Sequence, residues 1–485
     1  MSMFVRAWRG CGCLARAQRL YATLSGARER AVTLVSRRAE SLVPALDAAL
    51  DAWRGAEPLV WLFAANKELP RDVLVDVVQR LHGESAPPGE RLGFLSDALP
   101  TSVAPQTPGG DGALHSVALA ALPPSRAVAF RSTIPGVPRV AVGRWPSQKE
   151  LWRRGADPRS DRLDTHGDWR GMWGRENIDN CVPEPLAQLS DVDAVLCASD
   201  DRPEGLLEGL DHRFPGANVV GITSALTPFV TGRERTLFYG DASIARIHED
   251  GAVGIALLAP RTAPSVVDRT FDGLAPVGPR LEITGYVCYE YTYDSARGNI
   301  LTSLGDHNAA QQFLRIVLEQ STKNPRGMSA AQVRDWSSQV AKDDVFYLGV
   351  YTEADTAAVP LLVAQVNAGH PMRGTLSIAT ESELSGQRLW AQVLRPDVPR
   401  GIAPVARGGG VRFVFVTPMA ESGVEADAAV ARAPHAHGDV LSLPDVFLAA
   451  SEKGWFARSA GTSGAVSSRT HTCAVPHTRV ALTRT

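Results

Sequence analysis

Apolar residues first recur at helical spacing. Val43, Leu46, Ala49, Leu50 and Trp53 share one face of a helix predicted over 40–54. A continuous apolar run at 58–65 reads as a buried strand. Val73, Leu74, Val77, Val78 and Leu81 give an amphipathic helix over 71–81, and a short strand follows at 92–95. The rhythm of helix and buried strand predicts an α/β domain. Further strands are expected at 114–122 and 126–130.

Residues 144–190 interrupt this rhythm. They are polar and punctuated by Gly and Pro, yet carry Trp145, Trp152, Trp169 and Trp173. They read as a surface insertion, a lid or a partner surface. Strands then follow at 194–199, 218–222 and 251–258, with a short helix at 203–210. The Pro-containing stretch 260–264 marks a boundary. Beyond it strands are denser, at 281–291, 346–351, 361–365, 374–378 and 411–416. A helix is predicted at 307–320, and a turn with a further strand or helix at 382–394. An antiparallel or mixed sheet is expected there. Residues 459–485 are rich in Ser, Thr and Gly, lack aromatics, and read as a disordered tail. No internal repeat of short fixed period is evident.

Composition changes the picture at the N-terminus. Residues 1–21 hold Arg6, Arg9, Arg16 and Arg19 and no acid, with Phe4, Trp8, Cys11 and Ala15 at helical spacing. That composition predicts a mitochondrial transit peptide, matrix-directed and cut after Tyr21. Residues 22–40 read as a basic connector. No run of 18 apolar residues occurs, so no membrane-spanning helix is expected. The net charge of −2 gives no reason to expect a nucleic-acid partner.

Two blocks carry a resemblance. The first is Val219-Val-Gly-Ile-Thr-Ser-Ala-Leu-Thr-Pro-Phe-Val-Thr-Gly-Arg233, followed by Thr236-Leu-Phe238 and Asp250-Gly-Ala-Val-Gly-Ile-Ala256. The second is Phe271-Asp-Gly-Leu-Ala-Pro-Val-Gly-Pro-Arg-Leu-Glu-Ile-Thr284, followed by Gly298-Asn-Ile-Leu-Thr-Ser-Leu304, with Gly386 to Arg395 downstream. In order and spacing they resemble the N- and C-terminal halves of FIST domains. The resemblance implies a mixed α/β, two-part domain: an N-terminal half at 41–260 and a C-terminal half at 265–458. One buried sheet with flanking helices is expected in each. It also implies a sensory module of signalling proteins, with amino acids as proposed ligands. The family's cysteine-containing strand has no counterpart cysteine in Val411-Arg-Phe-Val-Phe-Val-Thr-Pro418.

Within the first block, Thr223, Ser224, Thr227, Thr231 and Arg233 are candidates for a carboxylate-bearing ligand, because Arg offers a fork of donors to a carboxylate. Asn299 is a further candidate, from across a cleft between the halves. Turn and packing chemistry is the plainer reading of the same residues. No catalytic residue is expected, since no P-loop, dinucleotide or nucleophile-elbow motif occurs. No cofactor or metal is expected either. His435-Ala-His437 and His471-x-Cys473-x3-His477 lack a full four-ligand set. Asp200-Asp201 reads as solvated loop charge. Cys197 and Cys288 read as inert core thiols. The leading expectation is therefore a non-catalytic mitochondrial ligand sensor that signals through an unidentified protein partner. An enzyme on the same scaffold and an interaction or quality-control adaptor are the alternatives.

Overall fold

A computed structural model of the chain describes residues 29–53, 59–83, 86–100, 114–134, 182–240, 245–259, 264–288, 299–320, 345–355, 358–370, 373–380, 384, 388–397, 410–418, 435–437, 439–460 and 469–484. The predicted transit peptide, and positions 144–181 of the Trp-rich segment, lie outside these residues. The class is mixed α/β, as expected.

The organising feature is a four-stranded unit that occurs three times. In the first unit β1 (Arg30–Ser36), β2 (Val60–Asn66), β3 (Arg91–Ser96) and β4 (His115–Leu122) stand side by side in the order β1-β4-β2-β3. Only β2 and β3 are parallel neighbours. Helices α1 (Leu42–Trp53) and α2 (Arg71–His82) cover its outer face.

The second unit repeats that arrangement with β5 (Ala127–Ser132), β6 (Val192–Ser199) and β7 (Asn218–Thr223). Helices α3 (Glu184–Ala187) and α4 (Glu204–Arg213) cover it, and α5 (Pro228–Thr231) follows β7. After β8 (Leu237–Gly240) and β9 (Ala245–His248), β10 (Ala252–Leu258) completes the order β5-β10-β6-β7. Again the single parallel pair is β6–β7. The helix inside each parallel crossover starts directly after a proline, Pro70 or Pro203, where the missing N–H costs nothing.

The third unit begins with β11 (Val266–Thr270) and is then interrupted by a seven-stranded antiparallel sheet. That sheet comprises β12 (Leu274–Cys288), β13 (Asn299–Leu304), β14 (His307–Asn308), β15 (Tyr347–Tyr351), β16 (Leu362–His370), β17 (Thr375–Ala379) and β18 (Trp390–Pro396). Helix α6 (Ala309–Gln320) contributes to its own apolar core. The unit resumes with β19 (Val411–Thr417). Next come β20 (His435–His437) and β21 (Val440–Pro444), which extend the first unit's sheet beside β1. Then β22 (Val446–Ala450), β23 (Trp455–Arg458), β24 (His471–Cys473) and β25 (Thr478–Arg484) end the described chain. The order β11-β25-β19-β22, with β19 and β22 parallel, is that of the other two units.

Each unit passes chain to a neighbour. Strand β8 leaves the second unit and pairs with β3 of the first. Strand β23 leaves the third and pairs with β7 of the second. Among the described residues, the chain leaving the first makes one bridge with the third, Asp97 to Ala450. The inner faces of all three sheets meet in one apolar core, to which Leu62, Phe94, Leu196, Ile222, Phe413, Phe415, Phe447 and Leu482 belong. Burial of each such side chain is worth roughly 1.5–3 kcal/mol, so the three units are held chiefly by this shared core.

Three expectations about organisation are corrected. The stretch read as a connector, 22–40, contains β1, which lies between β4 and β21. The stretch read as a disordered tail, 459–485, supplies β24 and β25, and β25 is paired on both edges. The division at 260–265 does not give one sheet per half. The described residues form four sheets, and strands from beyond 410 join all three repeated units. The physical reason is the same throughout: a strand between two others needs only a few inward apolar groups, here Val480 and Leu482 from β25.

Candidate ligand site at the ends of the parallel strands

The parallel pair of each unit ends at the same edge of the core. Along β2, Leu62 and Ala64 face the shared core, so Asn66 ends that row; Ser96 ends the row of Leu92 and Phe94. In the second unit Asp200 follows Leu196 and Ala198, and Ser224 follows Val220 and Ile222. In the third, Thr417 follows Phe413 and Phe415, and Ser451 follows Phe447 and Ala449. Two polar residues per unit thus close an apolar core at the carboxyl ends of its parallel strands, and all six are buried. This is the edge at which open α/β sheets hold their ligands.

Backbone hydrogen bonds link the three ends. Ala225 N–H donates to Leu95 O at 3.0 Å, and Asp97 N–H donates to Ala450 O at 3.0 Å. Ser224, Ser96 and Ser451 are therefore successive neighbours around the edge. Glu452 N–H adds a bond to the Asp97 carboxylate at 2.8 Å, and Thr223 N–H joins the second unit to the third at Gly454 O, 3.1 Å away. Three of the six side chains accept the N–H two residues on. Glu68 donates to Asn66 Oδ1 at 2.7 Å, Arg202 to Asp200 Oδ1 at 2.9 Å, and Lys453 to Ser451 Oγ at 3.0 Å. Asp200 Oδ2 also accepts Gly251 N–H at 2.8 Å. Asp200 is buried and satisfied by backbone, which corrects its reading as solvated loop charge.

The charges at this edge are unevenly matched. Lys67 Nζ lies 2.5 Å from Asp97 Oδ1. Burial opposes the lysine's charge, but the Asp97 hydrogen bond and charge outweigh it, and the Lys67 pKa is raised above its ordinary 10.5. Arg235 has no such partner. It is 1% exposed, and among the described residues no carboxylate lies within ion-pair distance. One Nη donates to Ser224 O, and its Nε–H has no acceptor among the described residues. Burial lowers the Arg235 pKa, while the carboxylates of Asp201, Asp200, Glu234 and Asp97 oppose that at longer range. The guanidinium nonetheless stays charged, as arginine does in proteins. Ser224 Oγ and Thr417 Oγ1, 1% and 2% exposed by residue, likewise lack a partner. Buried polar groups are normally hydrogen-bonded, so three orphans at one edge mark it as incomplete.

The structure brings together part of the set expected from sequence. Thr223 and Ser224 end β7 at this edge, with Thr223 N–H on Gly454 O at 3.1 Å. Thr227 and Thr231 turn inward on their own loop. Thr227 Oγ1 lies 2.8 Å and Thr231 Oγ1 2.7 Å from Thr236 Oγ1, so both brace α5. Arg233 is only half-buried, and the buried cation is Arg235, two residues on. Asn299 belongs to β13 in the seven-stranded sheet, paired with Cys288 and Ile378; its side chain lies outside the described residues. Among the described residues no hydrogen bond joins β13 to the 223–236 loop. Arg235 and Thr417 were not expected from the sequence. Only the alternation along each strand points to them, and only once the sheet partners are known.

Other chemistry is sparse. Burial pushes the Cys197 thiol up to about 12 and the Cys473 thiol to about 11, so neither is a ready nucleophile. His471 and Cys473 lie in β24, and no group of three metal-capable residues occurs among the described residues. A surface cleft of about 470 Å³ is lined by Glu29, Arg30, Trp53 and Asp445. It lies at the start of β1, the opposite end of the sheet, and Glu29 there is already paired with Arg484. No helix among the described residues is long and apolar enough to cross a membrane. No family model, no curated protein and no solved structure matches the chain.

Proposed function

We propose that this chain is a non-catalytic binding module for a small carboxylate-bearing metabolite, with Arg235 as the anchor. The carrying observation is a buried guanidinium that has a free Nε–H and no carboxylate of its own. Arginine is the natural partner of a carboxylate because its donors match both oxygens. Ser224 Oγ supplies a further uncommitted group beside it. The nearby carboxylates of Asp97, Asp200 and Asp201 disfavour a bare dianion and favour a ligand that also carries an ammonium group, as amino acids do. The loop that holds Arg235 is the loop that carries the first block of the FIST resemblance. A sensory role, an unidentified protein partner that reads the bound state, and a mitochondrial location given by residues 1–21 belong to the same proposal.

The test is a thermal-shift screen of the purified protein against amino acids and small mono- and dicarboxylates. A ligand that binds the folded state raises the melting temperature by mass action, by an amount that grows with its concentration. Arg235→Gln should abolish the shift. If no member of the panel moves the wild type, the binding reading is wrong.

A further inference from the structure

The three repeated units share one edge, yet the loop that holds Arg235 spans only two of them. We infer that the ligand sits where the parallel strand ends of the units meet and is contacted from both the second and the third unit, with Thr417 of the third as a ligand-binding residue together with Ser224. This rests on the carboxylate reading above.

Several independent observations converge on it. Thr417 occupies in the third unit the place that Asn66 and Asp200 occupy in the others, at the inner end of the second strand. Asn66 and Asp200 spend their side chains on the start of the closing strand. Asn66 Nδ2 donates to Leu114 O at 2.9 Å, and Asp200 Oδ2 accepts Gly251 N–H at 2.8 Å. In the third unit that contact is made by backbone alone, His477 N–H to Thr417 O at 2.9 Å. The Thr417 hydroxyl is thereby released. It is buried on the core side and finds no partner. A series of backbone bonds connects its strand, through the first unit, to the loop that holds the anchor. Ser451 N–H bonds Val416 O at 3.0 Å, Asp97 N–H bonds Ala450 O, and Ala225 N–H bonds Leu95 O. Leu95 N–H in turn bonds Thr236 O, next to Arg235, at 3.2 Å.

The arrangement also limits the ligand. A carboxylate on Arg235 and Ser224 leaves the Thr417 hydroxyl to meet a second polar group on the same small molecule. A tether between units follows as well. A molecule held by Arg235, Ser224 and Thr417 ties the second unit to the third, which backbone already joins through Thr223 N–H and Gly454 O at 3.1 Å.

Glycine, the smallest molecule with both charges, is the probe, titrated at millimolar concentration into the whole protein by thermal shift and by ligand-observed NMR. Ser224→Ala and Thr417→Val should each weaken glycine binding by about tenfold, the effect of one lost hydrogen bond to a small ligand. Without ligand, the same two variants should melt at or above the wild-type temperature, because the hydroxyls removed have no protein partner. If glycine binds and Arg235→Gln abolishes binding while Thr417→Val leaves it unchanged, the shared site is wrong and the carboxylate reading stands. A fall of several degrees in the ligand-free Thr417→Val protein would make the hydroxyl structural and overturn the assignment. No glycine response in the wild type, together with none from the wider panel, sinks both.

Discussion

Arg484, the last residue but one, should be among the costliest side chains to remove. It is 3% exposed at the side chain and lies between two carboxylates from distant parts of the chain. Its Nε and Nη2 donate to the two Glu29 oxygens at 3.0 and 2.8 Å, and its Nη1 donates to Asp193 at 3.2 Å. Glu29 leads into β1 of the first unit and Asp193 lies in β6 of the second, so one guanidinium on β25 joins all three units. Arg484→Met keeps most of the volume but leaves two buried carboxylates without their cation. Removing one partner of a buried pair costs about 3–5 kcal/mol, because the remaining charge stays desolvated. Arg126, 3.6 Å from Glu29 but partly exposed, offsets some of this. The lower end, about 3 kcal/mol, is therefore expected, a factor of roughly 10² in the folding equilibrium. Urea unfolding followed by tryptophan fluorescence measures it. Neutralising the acids in the same chain, with Glu29→Gln and Asp193→Asn, should recover most of the loss. A loss below about 0.5 kcal/mol, the scale of an exposed pair, would refute the claim that the C-terminal strand is integral to the core.

Other consequences are as direct. Gly221→Ala places a Cβ inside contact distance of the Cys197 carbonyl and the Phe456 ring, so it should destabilise by about 1–3 kcal/mol; an unchanged denaturation midpoint would show that β7 and β23 are not packed as described. His82 is buried against Phe63 and Phe238, and burial holds its pKa below the ordinary 6.5. The unfolded chain then binds the proton first, so stability should fall as pH drops below about 6.5, and His82→Gln should flatten that part of the profile measured by urea titration at stepped pH. Material recovered from isolated mitochondria should begin at Ala22 or a near neighbour by terminal sequencing; recovery of intact Met1 or Ser2 would count against the import signal.

Much of the fold was legible, and for a physical reason. Strands covered by helices on one face and by the shared core on the other are apolar throughout, so β2, β6, β7 and β10 stand out as continuous runs. Helices α1, α2 and α6 announce themselves by spacing. Strand β1 was hidden because its apolar residues sit between Arg28, Glu29 and Arg30 on one side and Arg37 and Arg38 on the other. Strand β25 was hidden because Arg479 and Arg484 flank only three core residues, and nothing local reveals that Arg484 meets Glu29. The threefold repetition escaped notice because the matched positions preserve direction and polarity rather than identity. Asn66, Asp200 and Thr417 are equivalent by register alone. The candidate site shows the same limit. Sequence drew attention to the loop after β7 but favoured Arg233, and burial, which selects Arg235, is decided by sheets contributed from both ends of the chain.

The measurement that bears most directly on the central claim is the urea stability of Arg235→Met with and without a panel ligand. An unpaired buried cation held ready for a ligand weakens the empty protein, so Arg235→Met should be at least as stable as the wild type without ligand, and the ligand should stabilise only the wild type. A variant that is markedly less stable when empty, or one that the ligand still stabilises, would contradict the assignment of Arg235 as the anchor.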